Sequence, residues 1–215
     1  MARKGNAAKV DISRPVPPVA WMNDESSWPF LIPALEIGEW VSASILAEDG
    51  PLHNADHQHL QYGDIAYLWA RTGFAKKGRI VLGQAEEVMI RASGWQKARQ
   101  MQQLHEWFGR EPQFIITLDA THCATCSDTE FCALIEHELY HIGQDTDEFG
   151  MPKFTKSGSP ALALRGHDIE EFVGVVRRYG ASGDVARLVE AAKRPAEVAT
   201  TNISRACGTC LLKAA

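Results

Sequence analysis

Apolar positions along this chain recur in two rhythms, one helical and one of short strand-like runs. Between residues 30 and 47, Leu31, Leu35, Trp40, Val41 and Ile45 fall at helical spacing, which predicts one amphipathic helix with Pro33 tolerated in its first turn. Residues 65–69 (IAYLW) and 78–83 (GRIVLG) are β-branched and aromatic runs, predicting two strands joined through a Gly-containing turn. A helix over about 92–108 and a third strand over 113–119 (QFIITLD) come next. Ser127, Asp128, Thr129 and Glu130 then form a capping-box pattern ahead of Phe131, Leu134 and Ile135, which starts a further helix. Past Gly166 another helix runs through Val173, Val176 and Tyr179, and a short one spans 184–193. No internal repeat interrupts this order of strands, helix, strand and helices.

The segments outside these elements divide the chain. Residues 1–27, with Pro15, Pro17 and Pro18, read as an extended arm that packs through Trp21, with Trp28 just beyond. Residues 28–193 hold one domain, and 194–215 form a tail. At 215 residues, 45% hydrophobic and 23% charged, the composition is that of ordinary globular material with enough apolar residues for a core. The first residues, Ala2, Arg3, Lys4 and Gly5, lead into polar sequence rather than the apolar run of a signal peptide, and no stretch reaches membrane-spanning length. The expectation is a cytoplasmic protein with no membrane partner. A net charge of -5 gives no basic footprint for nucleic acid. Clusters such as Lys76, Lys77 and Arg79, or Arg177 and Arg178, read as solvated faces.

Chemistry enters inside the capped helix, where His137, Glu138 and His141 spell HExxH. Residues four apart share a helix face, so both imidazoles can bind one metal while Glu138 projects beside it. The flanking Leu139, Tyr140 and Ile142 are uncharged, which lowers the local dielectric, and two His and a Glu in such a setting are costly to bury without a purpose. The pattern points to zinc-assisted hydrolysis, with Glu138 as general base toward a zinc-activated water. A catalytic zinc also needs a third protein ligand. His167 can supply it, aimed back by the turn at Gly166; Glu170 or Glu171 can supply a carboxylate from the helix that follows; Asp147 stands six residues after the second His, but Gln144 occupies the position where that arrangement needs Gly. For the oxyanion, Tyr140, Tyr179 and Arg165 remain open alternatives, and His122 can approach from the preceding loop.

HExxH followed about two dozen residues later by Gly166, His167, Asp168 and Phe172 resembles the SprT-like minimal zinc metallopeptidases, and most closely the metallopeptidases encoded by phages and prophages. The resemblance spans about residues 64–179. It implies His137 and His141 as zinc ligands, Glu138 as catalytic base and His167 as third ligand, with a peptide or protein as substrate. It departs from the SprT-like pattern at Asp168, where Gly often stands. The expected fold is α+β and zincin-like: a small, mostly antiparallel sheet packed on the HExxH helix, with additional helices. The strand at 114–119 is expected at the substrate-side edge, where an extended peptide can pair with backbone. A reading of another class is a catalytically inactive, zinc-stabilised binding or regulatory module, against which Glu138 argues, since a structural site needs no base.

Five cysteines carry a second signal. Cys123 and Cys126 form CxxC just before the HExxH helix, and Cys207 and Cys210 form another near the end. Two such pairs can hold a structural zinc by four thiolates, with the tail docking back on the loop, so the expected cofactors are one catalytic and one structural Zn2+. Redox-active pairs and plain reduced thiols are the competing readings. Cys132 reads as a small core residue. His53, His57 and His59 share no helical face and read as a solvated or capping loop, with substrate contact as the alternative.

Overall fold

The computed structural model describes residues 13–24, 30–76, 78–169, 176–177, 180–181 and 183–195. Its architecture is α+β. After a short helix α1 (Val19–Met22) come strand β1 (Leu31–Pro33), helix α2 (Leu35–Val41) running on into a π-helical turn (Ser42–Leu46), and a 3-10 segment (Ala55–Tyr62). Strands β2 (Ile65–Ala70), β3 (Phe74–Lys76), β4 (Arg79–Val81) and β5 (Gly83–Glu87) precede helix α3 (Gly94–Phe108). Strand β6 (Phe114–Asp119) leads into helices α4 (Ala120–Thr125) and α5 (Asp128–Tyr140). Strands β7 (Ile142–Gln144) and β8 (Leu162–Leu164) and helix α6 (Gly183–Ala192) complete it.

The main sheet has the order β1-β2-β6-β5, with β2 and β6 parallel and both outer pairs antiparallel. β3 with β4, and β7 with β8, form separate antiparallel pairs. Alternation along β2 and β6 sends Tyr67, Trp69, Phe114, Ile116 and Leu118 to one face, against Ile37, Trp40, Phe131, Leu134 and Leu139 of α2 and α5. Ala66, Leu68 and Ile115 pack on the other face with Leu104 of α3. Cover on both faces explains why the central strands read as nearly unbroken apolar runs. Burying each large side chain of the first cluster stabilises the fold by about 1.5–3 kcal/mol.

The structure departs from the expected elements in three places. Residues 31–33 are not the first turn of a helix but edge strand β1, pairing Leu31 with Ala70 and Pro33 with Leu68. Pro33 lacks an N–H and suits an edge, and helix α2 starts only beyond Ala34, whose own N–H is spent on the Tyr67 carbonyl at 3.0 Å. The run at 78–83 does not pair with β2. Its Arg79–Val81 part turns back on β3, and Gly83 onward enters the sheet beside β6. Most consequential for function, Phe114–Asp119 is an interior strand, hydrogen-bonded on one side to β2 and on the other to β5, so the sheet edge beside α5 is β5.

α5 begins as its sequence signature requires: Ser127 Oγ accepts from the Glu130 N–H at 3.3 Å, and the Ser127 N–H donates to Glu130 Oε2 at 2.9 Å. α4, which no apolar rhythm announces, is capped by Asp119, whose Oδ1 accepts from the N–H groups of Thr121 and His122. Of the proline-rich arm, the described part packs by Arg71 lying over the Trp21 ring, 5.1 Å from its centre. No helix among the described residues is long and apolar enough to cross a membrane.

Candidate metal centre

The last turn of α5 carries His137, the fully buried Glu138 and the nearly buried His141, which serves as the helix C-cap. β7 leaves directly from this cap and pairs with β8, Ile142 opposite Leu164. The pairing extends one residue further, because the Arg165 N–H donates to the His141 carbonyl at 2.8 Å. Two residues on, the chain delivers His167. Strand pairing rather than sequence proximity thus brings the third imidazole to the other two.

The three rings form a nearly even triangle, with centres 5.1, 5.1 and 5.3 Å apart. One donor nitrogen from each lies within 4.8 Å of the others. His137 Nε2 and His167 Nε2 are 3.3 Å apart. Two nitrogens bound to one zinc at ~2.0–2.1 Å with a tetrahedral angle stand about 3.3–3.4 Å apart, so this edge already has the length a shared ion requires. His141 Nδ1 lies 2.9 Å from the Arg165 carbonyl oxygen, which can only accept, so Nδ1 carries the hydrogen and Nε2 the lone pair. Burial, reinforced by the neighbouring His141 and His167, pushes the His137 pKa down to about 4, which keeps the ring neutral and able to donate to a metal at ordinary pH. On all three counts the residues present fit a small cation.

Glu138 turns toward edge strand β5. A Cβ on Gly83 would fall 2.8 Å from Glu138 Oε1 and 3.0 Å from Leu134 Cδ1, so the absent side chain leaves the space in which the carboxylate sits. A cavity of about 150 Å³ adjoins the histidines, lined also by Tyr140, Arg165, Gly166 and Asp168.

Tyr140, whose direction the sequence left open, donates its hydroxyl to Asp56 Oδ2 at 2.9 Å and accepts from Asn54 Nδ2 at 3.2 Å. Asn54 Nδ2 also donates to Glu136 Oε2 at 2.9 Å, and this carboxyl is held below its usual range, first by His57, whose Nε2 lies 3.6 Å from Oε2, and further by Asn54. His57 is fully buried, its ring 4.4 Å from that of Tyr140, and His59 Nε2 is 2.9 Å from the Ile142 carbonyl. His57 and His59 therefore brace the back of the site, where the sequence suggested a solvated or capping loop; the segment is a 3-10 turn capped by Asn54, which accepts from the Asp56 N–H, and His57 is buried rather than solvated. Arg165 closes the end of α5, its Nε donating to the Tyr140 carbonyl at 2.6 Å.

The remaining candidates fall elsewhere. Asp147 sits in the excursion between β7 and β8, where its Oδ1 accepts from the Phe149 and Met151 N–H groups at 2.9 Å each. His122 lies on α4, outside the histidine group. Glu170, Glu171, Tyr179, Cys207 and Cys210 lie outside the described residues.

Fold and site together define an α+β protein with a three-histidine group able to hold a metal at the end of one helix. Residues 38–193 match the model of the family described as “Putative phage metallopeptidase”, and the chain belongs to that family. No curated protein and no solved structure matches it.

Proposed function

We propose that the protein is a zinc-dependent metallopeptidase of zincin-like fold that hydrolyses peptide bonds in a peptide or protein substrate. The observation that carries this reading is the convergence of His137, His141 and His167, with a 3.3 Å nitrogen separation, beside a glutamate housed against a sheet edge. His137, His141 and His167 would hold the ion, which when bound supplies Lewis acidity, lowering the pKa of water toward neutrality and polarising the scissile carbonyl. The Arg165 carbonyl keeps the His141 ring in one tautomer and orientation. Glu138 takes the proton of the attacking water on its carboxylate and passes it to the leaving amine. β5 stands at the end of the strand order, beside Glu138, and an extended substrate would run along this side of the sheet, a role the interior position of β6 denies that strand. The Tyr140 hydroxyl, committed to Asp56, is excluded as oxyanion donor in this arrangement.

Metal analysis combined with peptide-library digestion tests the proposal. The zinc-loaded wild type is expected to cleave, chelation to abolish cleavage, and Glu138→Gln to retain zinc while losing ~10²–10⁴-fold in rate. Zinc bound equally by wild type and Glu138→Gln, with no bond cut by either, would instead establish a zinc-stabilised binding module.

A further inference from the structure

Among the described residues the histidine group is the only metal-sized cluster, and Cys123 and Cys126, at the end of α4, have no third donor beside them. The larger opening lies elsewhere. A cavity of about 650 Å³ sits on the face of the main sheet turned away from α5, between α3 and the β3–β4 pair. Its size falls within the range of ligand pockets, ~300–1,000 Å³. Leu68, Ile115 and Leu104 give it an apolar floor, and Phe74 and Trp107 stand in its walls. Its charge is of one sign: Glu86, Glu87 and Asp119 line it, and among the described residues no Lys, Arg or His does.

The three carboxylates are not equivalent. Asp119 is committed to the cap of α4. Glu86 has no hydrogen bond or ion pair with a described residue, and burial alone raises its pKa. It is nevertheless open to solvent, which places the carboxyl on the wall of a concavity rather than on a free surface. Strand alternation explains its direction, since Gln84 and Glu86 stand opposite Thr117 and Ile115 of β6 while Gly83 and Ala85 turn to α5. Gly83 joins this cavity to the proposed site. A Cβ there would meet Glu138, yet the residue also lines the cavity, so the thickness of one strand separates the two.

We propose that this cavity is a docking site on the substrate polypeptide's path, taking a Lys or Arg side chain set among apolar residues; the inference rests on the peptidase reading. A long basic side chain lays its methylenes on the apolar floor and brings its charge to Glu86, with the Trp107 ring adding attraction for a cation. Pairing also relieves a carboxylate held in a partly desolvated place. An acidic segment would meet like charge and no cation, so the same wall that selects one sign rejects the other.

Full-length zinc-loaded Glu138→Gln protein is titrated by fluorescence anisotropy with labelled peptides that differ only at one central residue, Lys, norleucine or Glu, flanked by Leu and Phe. The Lys peptide is expected to bind about tenfold more tightly than the norleucine peptide, and the Glu peptide most weakly. Adding Glu86→Gln is expected to erase the preference for Lys while leaving the norleucine affinity within about twofold, which shows the floor intact. Equal affinities for Lys and norleucine, or a Lys preference that survives Glu86→Gln, would overturn the proposal. A photoreactive leucine beside the Lys locates the contact: crosslinks within 84–90 and 100–107 support the cavity, and crosslinks confined to the surroundings of His137 and His167 overturn it. Cleavage enters neither readout. A Lys preference with no bond cut by the wild type would sink the peptidase reading and leave a docking site for basic segments, whereas cleavage without that preference would sink the docking site alone.

Discussion

Gly83→Ala isolates the positioning of the proposed base without touching it. The added methyl would meet Glu138 Oε1 at 2.8 Å and Glu138 Cγ at 3.1 Å, against an ordinary contact near 3.4 Å, so the carboxylate must retreat by about 0.6 Å. Leu134 Cδ1, at 3.0 Å, is the end of a flexible side chain and yields more readily. A catalytic group displaced by ~1 Å costs about 10²-fold, so a 0.6 Å retreat predicts a loss on the order of tenfold in kcat. Overpacking costs ~1–3 kcal/mol, offset by ~0.4–1 kcal/mol from the stiffer unfolded chain, which leaves a folded protein with a modestly lower Tm. The three atoms nearest the added methyl belong to Glu138 and Leu134 and none to the proposed ligands His137, His141 and His167, so zinc per chain is expected to stay at the wild-type level. Steady-state cleavage of a peptide found in the library screen, zinc stoichiometry and thermal unfolding are measured on the same preparation. A kcat within twofold of wild type at equal zinc occupancy would refute the idea that β5 seats Glu138, and with it the placing of substrate along that strand.

Three further outcomes follow from the same geometry. Tyr140→Phe removes the hydroxyl bonded to Asp56 and Asn54 and is expected to cost about 1–2 kcal/mol in denaturant unfolding, with zinc and kcat retained; a kcat loss beyond tenfold at full zinc would put the hydroxyl in the chemistry. Ser127→Ala breaks the capping box of α5 and should lower stability by ~1 kcal/mol, read as a shifted urea midpoint with an unchanged slope. In the metal-free protein, His137 has a folded pKa depressed to about 4 from the ordinary 6.5, so the unfolded chain binds the extra proton first. Stability is then fully present above about pH 6.5 and falls as the pH is lowered toward 4; urea midpoints that stay flat across that window would contradict the burial of this ring.

What could be read from the sequence was what local rules govern. The capping box, the i and i+4 placement of His137 and His141, α3 and the apolar run of β6 depend on neighbours in sequence, and each forms the element its pattern predicts, although the place of β6 inside the sheet was not local. β5 escaped because its inward positions are Gly83 and Ala85 and its other residues are Gln84, Glu86 and Glu87. Such a strand has no hydrophobic signature, and at Gly83 a side chain would fill the space that the Glu138 carboxylate occupies. β1 escaped because Leu31 and Leu35 keep helical spacing across a boundary that only pairing with β2 and the spent N–H of Ala34 impose.

The supports of the site were hidden for the same reason. Asn54 with His57 and Asp56 with His59 follow the three-residue period of a 3-10 segment, not that of an α-helix or strand, and the partners Glu136, Tyr140 and Ile142 lie some eighty residues away. Together they fix the outer side of α5's last turn while the β7–β8 pairing fixes its end. A three-histidine group built this way is held from both flanks by the protein itself, and the residues that hold it become visible only when the long-range contacts are known.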